Sequence, residues 1–288
     1  MAGGGAADDA AGMTSRPFAQ VDVFSAVPYR GNPVAVVLDG DGLTTEQMQR
    51  IANWTNLSET TFVLPPTTPA ADYRVRIFTP AEELPFAGHP TIGTCHAWLE
   101  RNPQHTADTV VQECEAGLIT LRRTGGRLAF AAPPLVRDEP VDEELQVRIA
   151  RILGVDRAGI VDARWIDNGP GWVGVLLEDA KTVLAVDPNA EDLKLGIAGP
   201  YPAGSPEAVE VRAFFPAGRT SFEDPVTGSL NAGLAIWLLR TGQLQAPYVA
   251  SQGAALGRAG RVYVDQDADG AVWVGGDAVT CVEGRIEG

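Results

Sequence analysis

His89 and Asp224 occupy matching places in two copies of one pattern, and both are side chains that can give or take a proton when held in a cleft. The first copy reads Arg76-Ile77-Phe78-Thr79-Pro80-Ala81, then Phe86-Ala87-Gly88-His89-Pro90-Thr91-Ile92-Gly93-Thr94, and runs on into Ala97-Trp98-Leu99. The second reads Arg212-Ala213-Phe214-Phe215-Pro216-Ala217, then Phe222-Glu223-Asp224-Pro225-Val226-Thr227-Gly228-Ser229, and runs on into Ile236-Trp237-Leu238. Arg-x-Phe-x-Pro-Ala matches at an offset of 136 (212 minus 76). After a one-residue slip, His-Pro-x-x-Gly-Thr matches Asp-Pro-x-x-Gly-Ser at 135 (224 minus 89). A duplicated half is implied, with His89 and Asp224 in equivalent places. A third candidate, Glu59, stands in Asn56-Leu57-Ser58-Glu59-Thr60-Thr61-Phe62-Val63-Leu64, where a helix hands over to a strand. A carboxylate there can project from the strand end into a cleft, and burial would raise its pKa toward the range useful for proton transfer. The same placement also suits a surface acid at a turn. Glu82 and Glu83 read as solvated loop acids, and His105, in a polar loop, as solvated surface.

Both copies put a Gly-containing turn immediately before a helix. The first N–H groups of a helix have no intrahelical partner and carry roughly half a positive charge, so they bind anions. If the halves pack about a pseudo-twofold axis, the two N-termini face each other across a cleft that would hold a carboxylate, with His89 on one wall and Asp224 on the other. Gly88, Gly93 and Gly228 would let backbone approach that carboxylate, and Thr94 and Ser229 would offer hydroxyls one turn into each helix. His-Pro and Asp-Pro also start ordinary helices, and Ser229 also suits a plain helix start; the coincidence at matched repeat positions is what favours the site. Cys95 and His96 do not form the i, i+4 pair that a zinc helix uses, so no metal site is expected.

These residues need elements to hold them. Strands are expected at Gln20–Phe24, Pro33–Leu38, Thr60–Leu64, Arg74–Phe78, Thr109–Gln112, Leu118–Arg122 and Leu128–Ala131, with a helix capped by Thr44 or Thr45 and another opening just after His89-Pro90. From Asp138 the order begins again. A helix (Glu143–Leu153) leads to strands at Ala163–Asp167 and Trp172–Glu178, and an acidic linking stretch runs to Leu193. A strand (Val209–Phe214), the Asp224 turn, a helix (Leu230–Arg240) and strands at Tyr248–Gln252, Arg261–Asp265 and Ala271–Gly276 follow. The expected architecture is α+β: a disordered lead-in over residues 1–16, an N-terminal lobe over 17–134 and a C-terminal lobe over 141–288, whose last strand packs back on the N-terminal lobe.

The bulk properties narrow the function. At 288 residues each half can bury a core. A net charge of -15 argues against nucleic acid and against an anionic membrane surface. No apolar run approaches a membrane span, and the start has neither a basic nor an apolar signal region. Three cysteines (Cys95, Cys114 and Cys281) without metal or redox spacing fit a reducing cytoplasm.

Asn-Leu-Ser-Glu-Thr-Thr-Phe-Val, Arg-Ile-Phe-Thr-Pro-x-x-Glu-Leu-Pro-Phe-Ala-Gly-His-Pro-Thr-Ile-Gly and Phe-Glu-Asp-Pro-Val-Thr-Gly-Ser, in this order, resemble the phenazine-biosynthesis isomerase-like family. Val21-Asp22-Val23-Phe24 with Gly31-Asn32-Pro33-Val34 fits its first strands, and the resemblance runs from about Phe18 to the C-terminus. It implies the diaminopimelate-epimerase-like fold: two pseudo-symmetric lobes, each a mostly antiparallel barrel-like sheet around a central helix, with the active site between them. It also implies a homodimer, no cofactor, and a small-molecule carboxylate as substrate. The family's acid/base Glu maps onto Glu59, its cleft His onto His89, and its Asp and Ser onto Asp224 and Ser229. Related epimerases carry cysteines at the two facing positions, which here are His89 and Asp224, so a two-cysteine racemase is not expected. By resemblance, Glu59 moves a proton between two carbons of a conjugated system, and a double bond shifts. The family's named reaction is isomerisation of trans-2,3-dihydro-3-hydroxyanthranilate; unsaturated alkylproline precursors form a second substrate class. An epimerase or racemase and a non-catalytic binding protein are the alternative classes.

Overall fold

The computed structural model describes residues 14–188, 192–217 and 220–288. The expected lead-in over residues 1–16 lies, up to residue 13, outside the described residues, and Ser15 and Arg16 belong to a strand. The N-terminal half runs β1 (Ser15–Val23), β2 (Asn32–Val37), α1 (Thr45–Thr55), β3 (Thr60–Leu64), β4 (Tyr73–Phe78), β5 (Glu83–Leu84), α2 (Gly88–Arg101), β6 (Thr109–Cys114), β7 (Gly117–Thr124) and β8 (Arg127–Ala131). Helix α3 (Glu143–Leu153) leads into β9 (Ile160–Trp165), β10 (Trp172–Leu177), α4 (Ala180–Ala185), β11 (Lys194–Pro200), β12 (Val209–Ala217), β13 (Thr220–Asp224), α5 (Gly228–Arg240), β14 (Tyr248–Gln252), β15 (Gly260–Gln266) and β16 (Val272–Gly276). The chain ends on β17 (Ala278–Glu287).

The repeat is a repeat of pairings. In the first half β1 runs antiparallel to β2, β2 parallel to β3, β3 antiparallel to β4, β4 antiparallel to β5 and parallel to β6, and β6, β7 and β8 form a meander. The second half repeats each step with β9 to β16 in place of β1 to β8. Two antiparallel ladders join the halves, β8 with β16 and β1 with β17. Since β17 pairs along the whole of β1, from Ser15 opposite Glu287 to Val23 opposite Ala278, the C-terminal segment completes the N-terminal sheet.

Each sheet curls around one helix. On α5, Leu230, Ala232, Leu234, Ala235, Trp237 and Leu238 are all buried, so the helix is apolar on every side, as a helix inside a core must be. Helix α2 is buried from Gly88 through Cys95. The peripheral helices are amphipathic: Met48 of α1 lies over Phe62 and Phe78, while Ile149 and Leu153 of α3 lie over Val173 and Val175.

The repeated arginines serve the strands that end at the site. Arg76 donates from Nε and Nη2 to the two carboxylate oxygens of Glu83, each at 2.6 Å, and Arg212 does the same to Glu223 at 3.0 and 2.7 Å. Two parallel charge-assisted bonds fix the short strand to its long neighbour. Glu83 is therefore not a solvated loop acid but half of a half-buried ion pair. His105 is not free surface either: its Nε2 lies 3.0 Å from the Thr109 carbonyl and its ring sits 5.2 Å from that of Trp98.

Candidate active site

Three helices begin with a side-chain cap and two do not. Thr44 Oγ1 accepts the Gln47 N–H at 3.2 Å, Asp142 accepts that of Leu145 at 2.8 Å, and Asp179 accepts that of Thr182 at 2.7 Å. The two central helices start from Ala87 and Thr227 with no side-chain cap. Their free N–H groups and positive dipole ends meet between the lobes. A Cβ built on Gly228 would lie 3.0 Å from the His89 backbone nitrogen and 3.2 Å from Gly88 Cα, so glycine is what lets the two ends touch. A Cβ on Gly88 would lie 2.4 Å from the Phe130 ring.

Glu59 reaches this junction because α1 stops at Thr55. Asn56 takes the left-handed conformation (φ 54°) that ends the helix, an angle asparagine tolerates well, and the chain turns through Leu57 and Ser58 into β3. Glu59 Oε2 then lies 2.9 Å from Nδ1 of His89, the second residue of α2, which starts at Gly88 rather than after Pro90. His89 keeps 5% side-chain exposure and Glu59 17%, so of the two the carboxylate is the more accessible. Asp224, at the end of β13, is also buried. It is touched from the other lobe: Asn32 Nδ2 donates to its Oδ1 at 3.1 Å and to the Val226 carbonyl at 2.9 Å, and Ser58 Oγ donates to the same Oδ1 at 3.5 Å.

The charges set one another. Burial alone would lower the His89 pKa, but the Glu59 contact and the charges of Glu59 and Asp224 outweigh it and hold the imidazole above its ordinary value. Asp224 is pushed up to about 6, first by burial and then by the Glu59 charge, against bonds from Thr227 and Asn32 and the charge of His89. The site therefore sets a raised imidazole beside Glu59 and, opposite, an acid lifted to about 6; the His89 and Asp224 titrations are coupled.

Ser229 lies at the head of α5. Its Oγ accepts the Trp172 indole N–H at 3.0 Å, and its carbonyl accepts from Asn168 Nδ2 at 2.9 Å. An indole can only donate, so the Ser229 proton is free for an acceptor on a ligand. Asn32 Oδ1, His89 Nε2 and Asn168 Oδ1 are buried polar atoms without a hydrogen-bond partner among the described residues. Buried polar groups are nearly always paired, so three orphans around one junction mark where a polar molecule fits.

The structure redraws two of the expected correspondences. Phe78 stands opposite Glu83 as Phe214 stands opposite Glu223, and the hairpin between them is four residues longer in the second half. From there on the offset is 140: Leu84 corresponds to Asp224, Gly88 to Gly228, and His89 to Ser229. His89 and Asp224 thus converge on one site from non-equivalent places, one in the first turn of a helix and one at a strand end. Ser229 is the second residue of α5, not one turn into it. Gly93 and Thr94 do not reach the site. A Cβ on Gly93 would lie 2.3 Å from Val34 Cγ1 and 2.9 Å from Val23 Cγ2, so its role is close packing of α2 on the sheet. Thr94 is fully buried and donates to Thr61 Oγ1 at 2.8 Å. None of the cysteines lies at either helix head: Cys95 is buried with its thiol pushed up to about 12 by desolvation, Cys114 donates to the Gly117 carbonyl, and Cys281 is on β17.

Sequence reasoning missed Asn32, Thr227, Asn231, Gln252 and Trp172. Only Thr227 had a legible signal, a hydroxyl three residues after the aspartate of an Asp-Pro.

The two-lobed α+β architecture, each sheet curled around one central helix, is the epimerase-like fold. The chain matches the family described as phenazine biosynthesis-like protein over residues 21–284. It is 37% identical to antisense-enhancing sequence 1 of Schizosaccharomyces pombe, covering 95% of this chain and 99% of the relative. It is 35% identical to the trans-2,3-dihydro-3-hydroxyanthranilate isomerase of Pseudomonas fluorescens, covering 92% and 97%. Among solved structures, a Bacillus anthracis protein of the PhzF family superposes with a TM-score of 0.81 at 24% identity, covering 95% of this chain and 99% of that one. A hydroxyproline epimerase from Agrobacterium vitis shares the fold at a TM-score of 0.56 and 12% identity, covering 95% and 92%. The chain belongs to the phenazine biosynthesis-like family and is an enzyme of the isomerase class. Among the described residues no helix is long and apolar enough to cross a membrane.

Proposed function

We propose that this isomerase moves a double bond within a small cyclic unsaturated amino or carboxylic acid by acid/base proton transfer, without a cofactor. The observation that carries the reading is the Glu59–His89–Asp224 set at two touching, uncapped helix heads. Glu59 takes a proton from an sp3 carbon flanked by unsaturation, and the C–H electron pair spreads over the conjugated system. The proton, or its equivalent, returns to a distal carbon, so the double bond shifts and no electrons are lost. The substrate carboxylate sits on the N–H groups of the helix heads at Gly88 and Gly228 and accepts from Ser229. His89, as an imidazolium, and Asp224 hold the amino or hydroxyl group or relay a proton. Preorganised donors in a dry site strengthen such contacts, because nothing has to reorganise as charge develops. The substrate named for the Pseudomonas fluorescens relative, a cyclic unsaturated amino acid with a carboxylate, fits this description. The reading includes a homodimer in the cytoplasm, where the three free cysteines stay reduced.

The test is proton NMR in D2O with dihydro-hydroxyanthranilate, unsaturated alkylproline precursors and plain L-amino acids. Migration of a double bond with uptake of at most one solvent deuteron is the expected result. Exchange confined to an α-carbon would instead make the protein an epimerase. Ser229→Ala should raise KM for the carboxylate substrate roughly ten- to a hundredfold, the loss of one hydrogen bond to a charged group, and change kcat much less. Equal loss in kcat and kcat/KM would place Ser229 in the chemical step instead.

A further inference from the structure

We infer that Thr227 is a positioning residue whose hydroxyl points one way, donating to Asp224 Oδ2 and so holding that oxygen as an acceptor, and that Gln252 sets that direction. The inference rests on the reading of Asp224 as a member of the acid/base set.

The Thr227 backbone N–H can only donate and the Thr227 and Asp224 carbonyls can only accept. Gln252, fully buried at the end of β14, accepts the Thr227 N–H on Oε1 at 3.1 Å and donates from Nε2 to the Asp224 carbonyl at 3.2 Å. Asn231 donates from Nδ2 to the Thr227 carbonyl at 2.9 Å and to the same Gln252 Oε1 at 2.8 Å. The Gln252 amide therefore has one possible orientation, and its Nε2 also donates to Thr227 Oγ1 at 3.1 Å. A hydroxyl that receives an N–H there has its own proton left to give, and Asp224 Oδ2 lies 2.5 Å away. Asp224 is thereby held by donors on both oxygens, Thr227 on Oδ2 from its own lobe and Asn32 and Ser58 on Oδ1 from the other. The charged groups facing Asp224 are Glu59, from the loop ahead of β3, and His89, from α2; the neighbouring Glu223 is engaged with Arg212. The Thr227 hydroxyl is the larger of two neutral contacts, with Asn32, that oppose the effects of burial and of Glu59.

This arrangement also explains why Thr227 does not cap α5 although threonine is a good capping residue. Its hydroxyl is directed at Asp224, which leaves the helix head open for an anion.

The test needs no substrate, so it stands apart from the isomerase reading. The side-chain carboxyl of Asp224 is followed by 13C NMR across pH, its signal assigned by loss in Asp224→Asn. Thr227→Val keeps the shape of the side chain, and Gln252 keeps its bond to the Asp224 carbonyl. The midpoint should rise by about one to two pH units, the size of one hydrogen bond to a charged group, while Thr227→Ser restores the wild-type midpoint. A folded Thr227→Val protein with an unmoved midpoint overturns the inference. A second readout uses the wild-type protein: the Thr227 hydroxyl proton should exchange slowly, with a shift that follows the Asp224 titration. A fast-exchanging hydroxyl that ignores pH overturns it as well, even if Thr227→Val does not fold. Should neither substrate panel nor variant show turnover, these titrations still decide the relay. The acid limb of kcat/KM, read separately, should move with the carboxyl midpoint.

Discussion

Glu59→Gln should lower turnover by about 10²–10⁴-fold, or about 3 to 5 kcal/mol of barrier, while the protein still unfolds cooperatively near the wild-type temperature. The substitution keeps shape and the partial exposure of the side chain and removes only the ability to hold a proton. It also removes an anion 2.9 Å from His89 Nδ1, and the consequences for the neighbours are specific. Without the Glu59 charge, burial dominates at His89, and its pKa should fall below the wild-type value. Asp224 loses one of the causes that lift it to about 6, so its midpoint should fall too. NMR titration of the imidazole and the carboxyl, beside a turnover assay, separates this outcome from general damage. A damaged site would lose activity without both midpoints moving downward. Retained turnover in Glu59→Gln would remove Glu59 as the base and leave Asp224 as the remaining carboxylate in the cluster.

How far the sequence speaks for itself depends on whether a property is local. The Asn56 helix end, the Thr44 cap and the strand at Thr60–Leu64 are local, and Glu59 could be placed from them before any tertiary contact was known. The duplicated half was legible because Arg76 and Arg212 each tie a short acidic strand to its neighbour, which keeps the motif recognisable. The frame was not: the β12–β13 hairpin is four residues longer than its counterpart, so the turn alignment paired His89 with Asp224 where the fold pairs His89 with Ser229. Helix α4 lay in what read as an acidic connection, and Lys194–Pro200 beyond it was assigned no element, because only pairing with β10 and β12 makes it a strand. Gly93 and Thr94 have the same residue types as a ligand cradle, and only the approach of Val23 and Val34 shows that they face the sheet. Asn32 and Gln252 were out of reach for the opposite reason. Each is an ordinary amide until a partner some 200 or 25 residues away comes within about 3 Å.

Asp224→Asn should change the pH dependence of stability in a direction that the burial of this carboxyl dictates. Its folded pKa, about 6, lies above the ordinary 3.8, so the folded protein holds the proton more tightly than the unfolded chain. The stability this group provides is complete below pH 3.8, declines as pH rises, and is lost above about 6; at neutral pH the ionised carboxylate costs about 3 kcal/mol relative to acid. Asparagine does not titrate. At low pH the variant should be the weaker protein, because its amide N–H2 must oppose either Asn32 Nδ2 or the Thr227 hydroxyl, both donors to the native carboxylate. As pH rises from 4 to 6.5 the gap should close and then reverse, by several degrees in Tm. His89 contributes with the same sign, but in a higher window: its stability is complete below 6.5 and is lost as pH passes its raised folded value. Asp138, held at about 2 by Arg240 and Arg164, acts in the opposite sense at acid pH and cancels between the two proteins. The difference in Tm below pH 6.5 therefore reports the Asp224 carboxyl together with its coupling to His89. A difference that stays constant across that range would mean that the carboxyl is not raised, and that the acid poised opposite His89 has to be sought elsewhere in the cluster.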